Sequence, residues 1–213
     1  MPFGYIGQNQ TKQKVKNSGV LSSFEVSHLE KLGQAGGSLE LIETQTISSA
    51  VASLNFTSIK GGRYDVHLLE IRNLIGSTDN KPTYLRFSND GATSFEAGTS
   101  YEYAFDNGGY GNSTFEQHKS TGTSAIFLSN NAGNGTNETS NFYCYIYNAN
   151  NSSKYTTATF QGVFFYQAAT AMVMNYGGGV YDTADTINAF QIIKSSGDLT
   201  QGKVSLYGVK QWI

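Results

Sequence analysis

The side chains able to do covalent or metal chemistry are few and scattered. Histidine occurs only at His28, His67 and His118, with no pair at ligand spacing and no cysteine beside them, so a metal centre is not expected. The single cysteine, Cys144, rules out an intrachain disulfide. It lies in Phe142-Tyr-Cys-Tyr-Ile-Tyr147, on the face shared with Phe142 and Ile146, which reads as a buried structural thiol. No Gly-x-Ser-x-Gly elbow is present. Gly177-Gly-Gly-Val180 lacks the lysine of a phosphate loop. The turns at Asp79-Asn80 and Asn89-Asp90-Gly91 miss the spaced acidic ligands of a calcium loop. Glycoside hydrolysis would need two carboxylates roughly 5 to 9.5 Å apart, and spacing selects no pair from Glu70, Glu102 and Glu116. No catalytic residue, metal or cofactor is assigned.

Aromatic chemistry is better represented. Tyr143, Tyr145 and Tyr147 alternate with Phe142, Cys144 and Ile146, so three tyrosines share one strand face. Such a face suits stacking of sugars or contact with a partner, because tyrosine joins an apolar body to a polar tip. The competing reading places the tyrosines under a loop or a second sheet.

The elements that position these residues are strands. Residues 63–105 read as a frame of three strands joined by two turns. Tyr64, Val66 and Leu68 alternate with Arg63, Asp65 and His67, which predicts a wet face carrying His67, and the phase slips after Leu68 as at a bulge. Leu85 and Phe87 oppose Tyr84 and Arg86, and Asn89-Asp90-Gly91 reads as a tight hairpin turn. Tyr101, Tyr103 and Phe105 then share a face. Further strands are expected at residues 39–47, 51–56, 124–129, 141–148 and 156–169, the last bent at Gly162. Residues 187–193 and 203–209 read as a closing pair across residues 195–198, while residues 106–122 and 130–140 read as surface loops.

Before the strands, Ser22 and Glu25 form a capping box, Leu21 and Val26 a hydrophobic staple, and Gly33 a stop, which predicts one short helix. Val26, Leu29 and Leu32 fall on one helical face. Residues 1–19 read as an extended arm, or as a frayed terminus, with a small plug at Phe3, Tyr5 and Ile6. The expected organisation is an arm and helix over residues 1–37, for attachment or oligomerisation, and an all-β antiparallel sandwich, jelly-roll-like, over residues 38–213.

Composition bounds the partners. The formal net charge is −2, which supplies no positive field for nucleic acid. No apolar run approaches the roughly 20 residues of a spanning helix, so membrane insertion is not expected, and the start lacks the pattern of a secretory signal. Charged residues make up 14%, against roughly 25% in ordinary soluble domains. The surface is therefore covered by Ser, Thr, Asn and Gln, as suits a subunit of an assembly or a binder of polar sugars.

Eight short stretches carry a resemblance: Tyr5-Ile-Gly7, Asn17-Ser-Gly-Val20, Leu39-Glu-Leu-Ile42, Asn55-Phe-Thr57, Tyr64-Asp-Val-His67, Leu85-Arg-Phe-Ser-Asn-Asp-Gly91, Tyr101-Glu-Tyr-Ala-Phe105 and Leu206-Tyr-Gly-Val209. Across nearly its whole length the chain resembles virion structural proteins of marine tailed phages, those of cyanobacteria and related hosts in particular. The resemblance implies a non-enzymatic tail-fibre-like or capsid-decorating component, assembled in the host cytoplasm and resident in the virion. The chain lacks the repetitive shaft of a whole fibre. The expected partners are further copies of the chain, as a homotrimer, other virion proteins of the capsid or tail, and a host-surface glycan. The expected attachment residues are Phe3, Tyr5, Ile6, Leu21, Val26, Leu29 and Leu32. A carbohydrate-binding, lectin-like module is the alternative.

Overall fold

The computed structural model describes residues 23–31, 38–109, 115–166 and 171–210. Residues 39–209 form one compact unit, and the described residues outside that range belong to a second. The second unit contributes helix α1 (Ser23–Lys31), with Glu25 in its first turn, where a carboxylate complements the helix dipole.

The larger unit is an antiparallel β-sandwich. An eight-stranded sheet has the order β1-β12-β3-β8-β9-β10-β5-β6, and a four-stranded sheet has the order β2-β11-β4-β7. The first comprises β1 (Leu39–Ile47), β12 (Leu199–Val209), β3 (Val66–Gly76), β8 (Ser140–Tyr147), β9 (Tyr155–Phe165), β10 (Met172–Ala184), β5 (Tyr101–Gly109) and β6 (Glu116–Thr123). The second comprises β2 (Ser53–Phe56), β11 (Ala189–Lys194), β4 (Thr83–Ser88) and β7 (Ile126–Phe127). Setting aside β5, β6, β9 and β10 leaves two four-stranded sheets, β1-β12-β3-β8 and β2-β11-β4-β7. That is the interleaved strand order of a jelly roll. The two inserted pairs meet through β10 and β5 and widen only the larger sheet.

Alternation explains which side of each strand is buried. On β8, Phe142, Cys144 and Ile146 point inward, as expected, and on β5 so do Tyr101 and Phe105. From the smaller sheet, Phe87 meets Tyr101 and Tyr181 at ring distances of 6.0 and 6.3 Å, and Phe190 meets His67 at 5.3 Å. Fully burying each such ring contributes about 1.5–3 kcal/mol. The Phe87 backbone N–H donates to the Tyr101 hydroxyl at 2.9 Å, which ties the two sheets together.

Several expectations are corrected by this topology. β3, β4 and β5 alternate between the two sheets, so residues 89–100 make a crossover and not a tight hairpin. There the Asp90 carboxylate accepts hydrogen bonds from the Ser94 N–H and from the hydroxyls of Ser94 and Ser88, which hold its pKa down at about 2. β11 and β12 likewise belong to different sheets and do not pair. Within the segment expected to be a loop, β6 pairs with β5 along Asn107↔Glu116 to Tyr101↔Thr123. Its residues are almost entirely polar, so no apolar alternation marks it. The run from Met172 to Ala184 is one strand, with the three glycines inside it. The irregularity of β3 falls between Ile71 and Leu74, not after Leu68, with Asn73 at φ 52°. Gly162 interrupts no pairing; a side chain there would occupy the space of the Phe142 ring. Only Ile126–Phe127 of the stretch 124–129 is strand.

His67 is the sharpest correction. It is wholly buried on the inner face of β3 with Leu69 and Ile71, while Leu68, itself buried at 9%, lies on the opposite side of the strand. Its Nε2 bonds the Ile59 carbonyl at 2.8 Å, and burial pushes its pKa below the ordinary histidine value. His118, expected in a loop, lies on β6 stacked on Phe105 at 5.0 Å.

Candidate binding face

Register places the outward side chains of the eight-stranded sheet in rows running across its strands. Two adjacent rows at one end of the sheet are apolar. One is Leu39, Val209, Val66 and Tyr147, and the next is Leu41, Tyr207, Leu68 and Tyr145, each taken in the order β1, β12, β3, β8. No charged side chain interrupts either row over these four strands. Leu39 and Leu41 are 43% and 54% exposed, Val66, Val209, Tyr145, Tyr147 and Tyr207 are half-buried, and Leu68 is buried at 9%.

The third row differs in chemistry. It runs Ser205, Glu70, Tyr143, Gln161, Tyr176, Asp106 and Gln117 over β12, β3, β8, β9, β10, β5 and β6. Tyr143 and Tyr176 are each 45% exposed. The Tyr143 hydroxyl donates to Gln161 Oε1 at 2.6 Å, the Tyr176 hydroxyl to Asp106 Oδ2 at 3.3 Å, and the Tyr207 hydroxyl to Glu70 Oε2 at 3.3 Å. A trough of about 390 Å³ lies alongside, lined by Glu70, Arg72, Asn141, Tyr143, Gln161 and Met174 among others. A second, of about 610 Å³, lies over Gly178 and Ala104 between Glu102, Lys119 and Val180.

The three tyrosines singled out from the sequence share the side of β8 opposite Phe142, Cys144 and Ile146, with Tyr143 exposed and Tyr145 and Tyr147 half-buried. Tyr145 stands 6.3 Å from Tyr143 and 6.5 Å from Tyr147, ring centre to ring centre. They divide between two environments, with Tyr145 and Tyr147 in the apolar rows and Tyr143 in the polar one. Tyr176, Gln161, Tyr207, Val209 and Leu41 escaped sequence reasoning. Alternation gives each strand's outward set, but which strands are neighbours comes only from pairing. On α1, Val26 is exposed and Leu29 half-buried, while Phe24, 79% exposed, stacks on His28 at 6.5 Å. Phe3, Tyr5, Ile6, Leu21 and Leu32, with the capping residue Ser22 and the stop Gly33, lie outside the described residues.

The groups considered for catalysis are dispersed. Glu70 and Glu102 face outward on β3 and β5, four strand spacings or roughly 19 Å apart, which is too far for an acid and base pair. Cys144 is wholly buried, and burial pushes its thiol up to about 12, away from nucleophilic use. Among the described residues no group of three or more His, Cys, Asp or Glu side chains could hold a metal. No helix among them is long and apolar enough to cross a membrane.

Fold and surface together define a jelly-roll protein with an open, tyrosine-rich sheet face. No family model matches the chain and no curated protein matches it. Among solved structures it is similar to a protein of unknown function from Shewanella oneidensis. The two share 12% identity over 83% of this chain and 78% of that one, at a TM-score of 0.24, a likeness that carries no argument.

Proposed function

We propose that the protein is a non-enzymatic structural subunit of a phage virion, a tail-fibre-like or capsid-decorating component that assembles with copies of itself as a trimer. Residues 1–37 dock it to other virion proteins, and the sandwich is presented outward. The observation that carries this reading is the pair of apolar rows on β1, β12, β3 and β8. An uncharged, contiguous block of Leu, Val and Tyr on an outer sheet face, exposed at Leu39 and Leu41 and half-buried over most of the rest, is typical of the centre of a protein interface. The low charge of the whole chain supports the same reading, as does the resemblance to virion proteins. The test is the molar mass of the full chain by light scattering across a concentration series, beside a chain lacking residues 1–33. The expected result is a trimer in both, because the apolar rows lie within residues 39–209. Monomers of both at every concentration would overturn the proposal.

A further inference from the structure

We propose that the polar half of the same sheet face, centred on Tyr143, Gln161 and Tyr176, is a binding site for a neutral oligosaccharide. It is distinct from the apolar rows assigned to assembly, and the inference stands without them.

A pyranose ring offers a face of C–H bonds edged by hydroxyls, each able to donate and to accept. A site for it needs an open aromatic ring with donors and acceptors arranged around the ring's rim. The third row supplies both. Tyr143 and Tyr176 keep nearly half their surface open, and their hydroxyls are tethered to Gln161 and Asp106. Rings held in this way lose little conformational freedom when a ligand stacks on them. One strand, β9, separates them, so their origins are two strand spacings or about 10 Å apart. That separation matches the reach of two linked sugar rings. Between them, Gln161 spends its Oε1 on Tyr143, which leaves its amide nitrogen as a donor toward the ligand.

The flanking trough completes the rim. Arg72 Nε lies 3.6 Å from Glu70 Oε2, and both side chains are more than a third exposed. The guanidinium retains unspent donors and the carboxylate unspent lone pairs, a pair suited to vicinal hydroxyls. Because the two charges offset one another, and Asp106 adds a further negative one, an anionic sugar gains nothing here. Beyond Tyr176, Gly178 and Ala104 leave the floor of the second trough without bulk, so a chain longer than two rings can continue across the sheet. A protein partner would be favoured by a continuous apolar block, which the third row lacks.

The test uses the full chain and saturation-transfer NMR with maltotetraose, cellotetraose and chitotetraose as free probes, after a screen on an immobilised array of neutral oligosaccharides. At least one neutral oligosaccharide is expected to bind. Tyr143→Ala and Tyr176→Ala should each weaken it about tenfold, the loss of one stacked ring, while Tyr143→Phe, which keeps the ring, should weaken it less. Light scattering and a thermal melt on each variant separate loss of the site from loss of assembly or fold. Absence of any neutral glycan signal on the array and by NMR would overturn the inference. So would binding left unchanged in both alanine variants.

Discussion

At the scale of single residues, the least conventional feature of the sandwich is Lys194. It is 4% exposed on β11, and its Nζ donates to Thr83 Oγ1 at 3.0 Å and to the Lys81 carbonyl at 3.4 Å. Among the described residues no carboxylate forms an ion pair with it. Burial lowers its pKa to about 8 from the ordinary 10.5. The sign of the linkage follows. Between about pH 8 and 10.5 the unfolded chain holds a proton that the folded one has released, so the folded state gains relative stability as pH rises through that window. Below about 8 both states are protonated and the contribution is at its lowest. Urea denaturation of the wild type and of Lys194→Met from pH 7.5 to 10 is expected to show a stability difference that shifts toward the wild type as pH rises. A difference independent of pH would show that Lys194 keeps its ordinary affinity for protons.

At the scale of elements, the glycines of β10 explain how the inserted strands fit. A Cβ on Gly177 would fall against Phe105 Cβ and the Ala104 carbonyl. At this position β10 can approach β5 as closely as it does only because no side chain is present. Gly177→Ala is expected to destabilise the protein by about 1–3 kcal/mol, seen as a lower urea midpoint with an unchanged slope; an unchanged midpoint would show that the sheet relaxes freely. Such packing also marks the limit of what the sequence made legible. Strands with one clear apolar face, β4, β5 and β8, were readable from alternation, and so was the face of Tyr143, Tyr145 and Tyr147. β6 was not, because an edge strand with polar residues on both faces carries no apolar period. His67 was misread because His67, Leu69 and Ile71 face the core, while Val66 and Leu68 give the opposite face an equally apolar look. The hairpins inferred at Asp90-Gly91 and at residues 195–198 failed for a further reason. Turn chemistry fixes a local bend, whereas a jelly roll sends the next strand to the other sheet. For the same reason the sequence could nominate Tyr143 but not its neighbours across the sheet, Gln161 and Tyr176.

At the scale of the whole molecule, the outer face of the large sheet carries two kinds of surface side by side. The apolar rows at β1, β12, β3 and β8 suit copies of the chain, and the polar row through β8, β9 and β10 suits a hydroxyl-rich ligand. Leu41 is the natural lever on the first. It is 54% exposed, so a charge placed there should leave the core untouched, yet it stands in the row of Tyr207, Leu68 and Tyr145. The most direct measurement is the molar mass of Leu41→Glu beside the wild type, by light scattering at matched concentrations. A trimeric wild type and a monomeric variant with the same melting temperature are expected. A variant that remains trimeric, or a wild type that never leaves the monomer, would contradict assembly through this face.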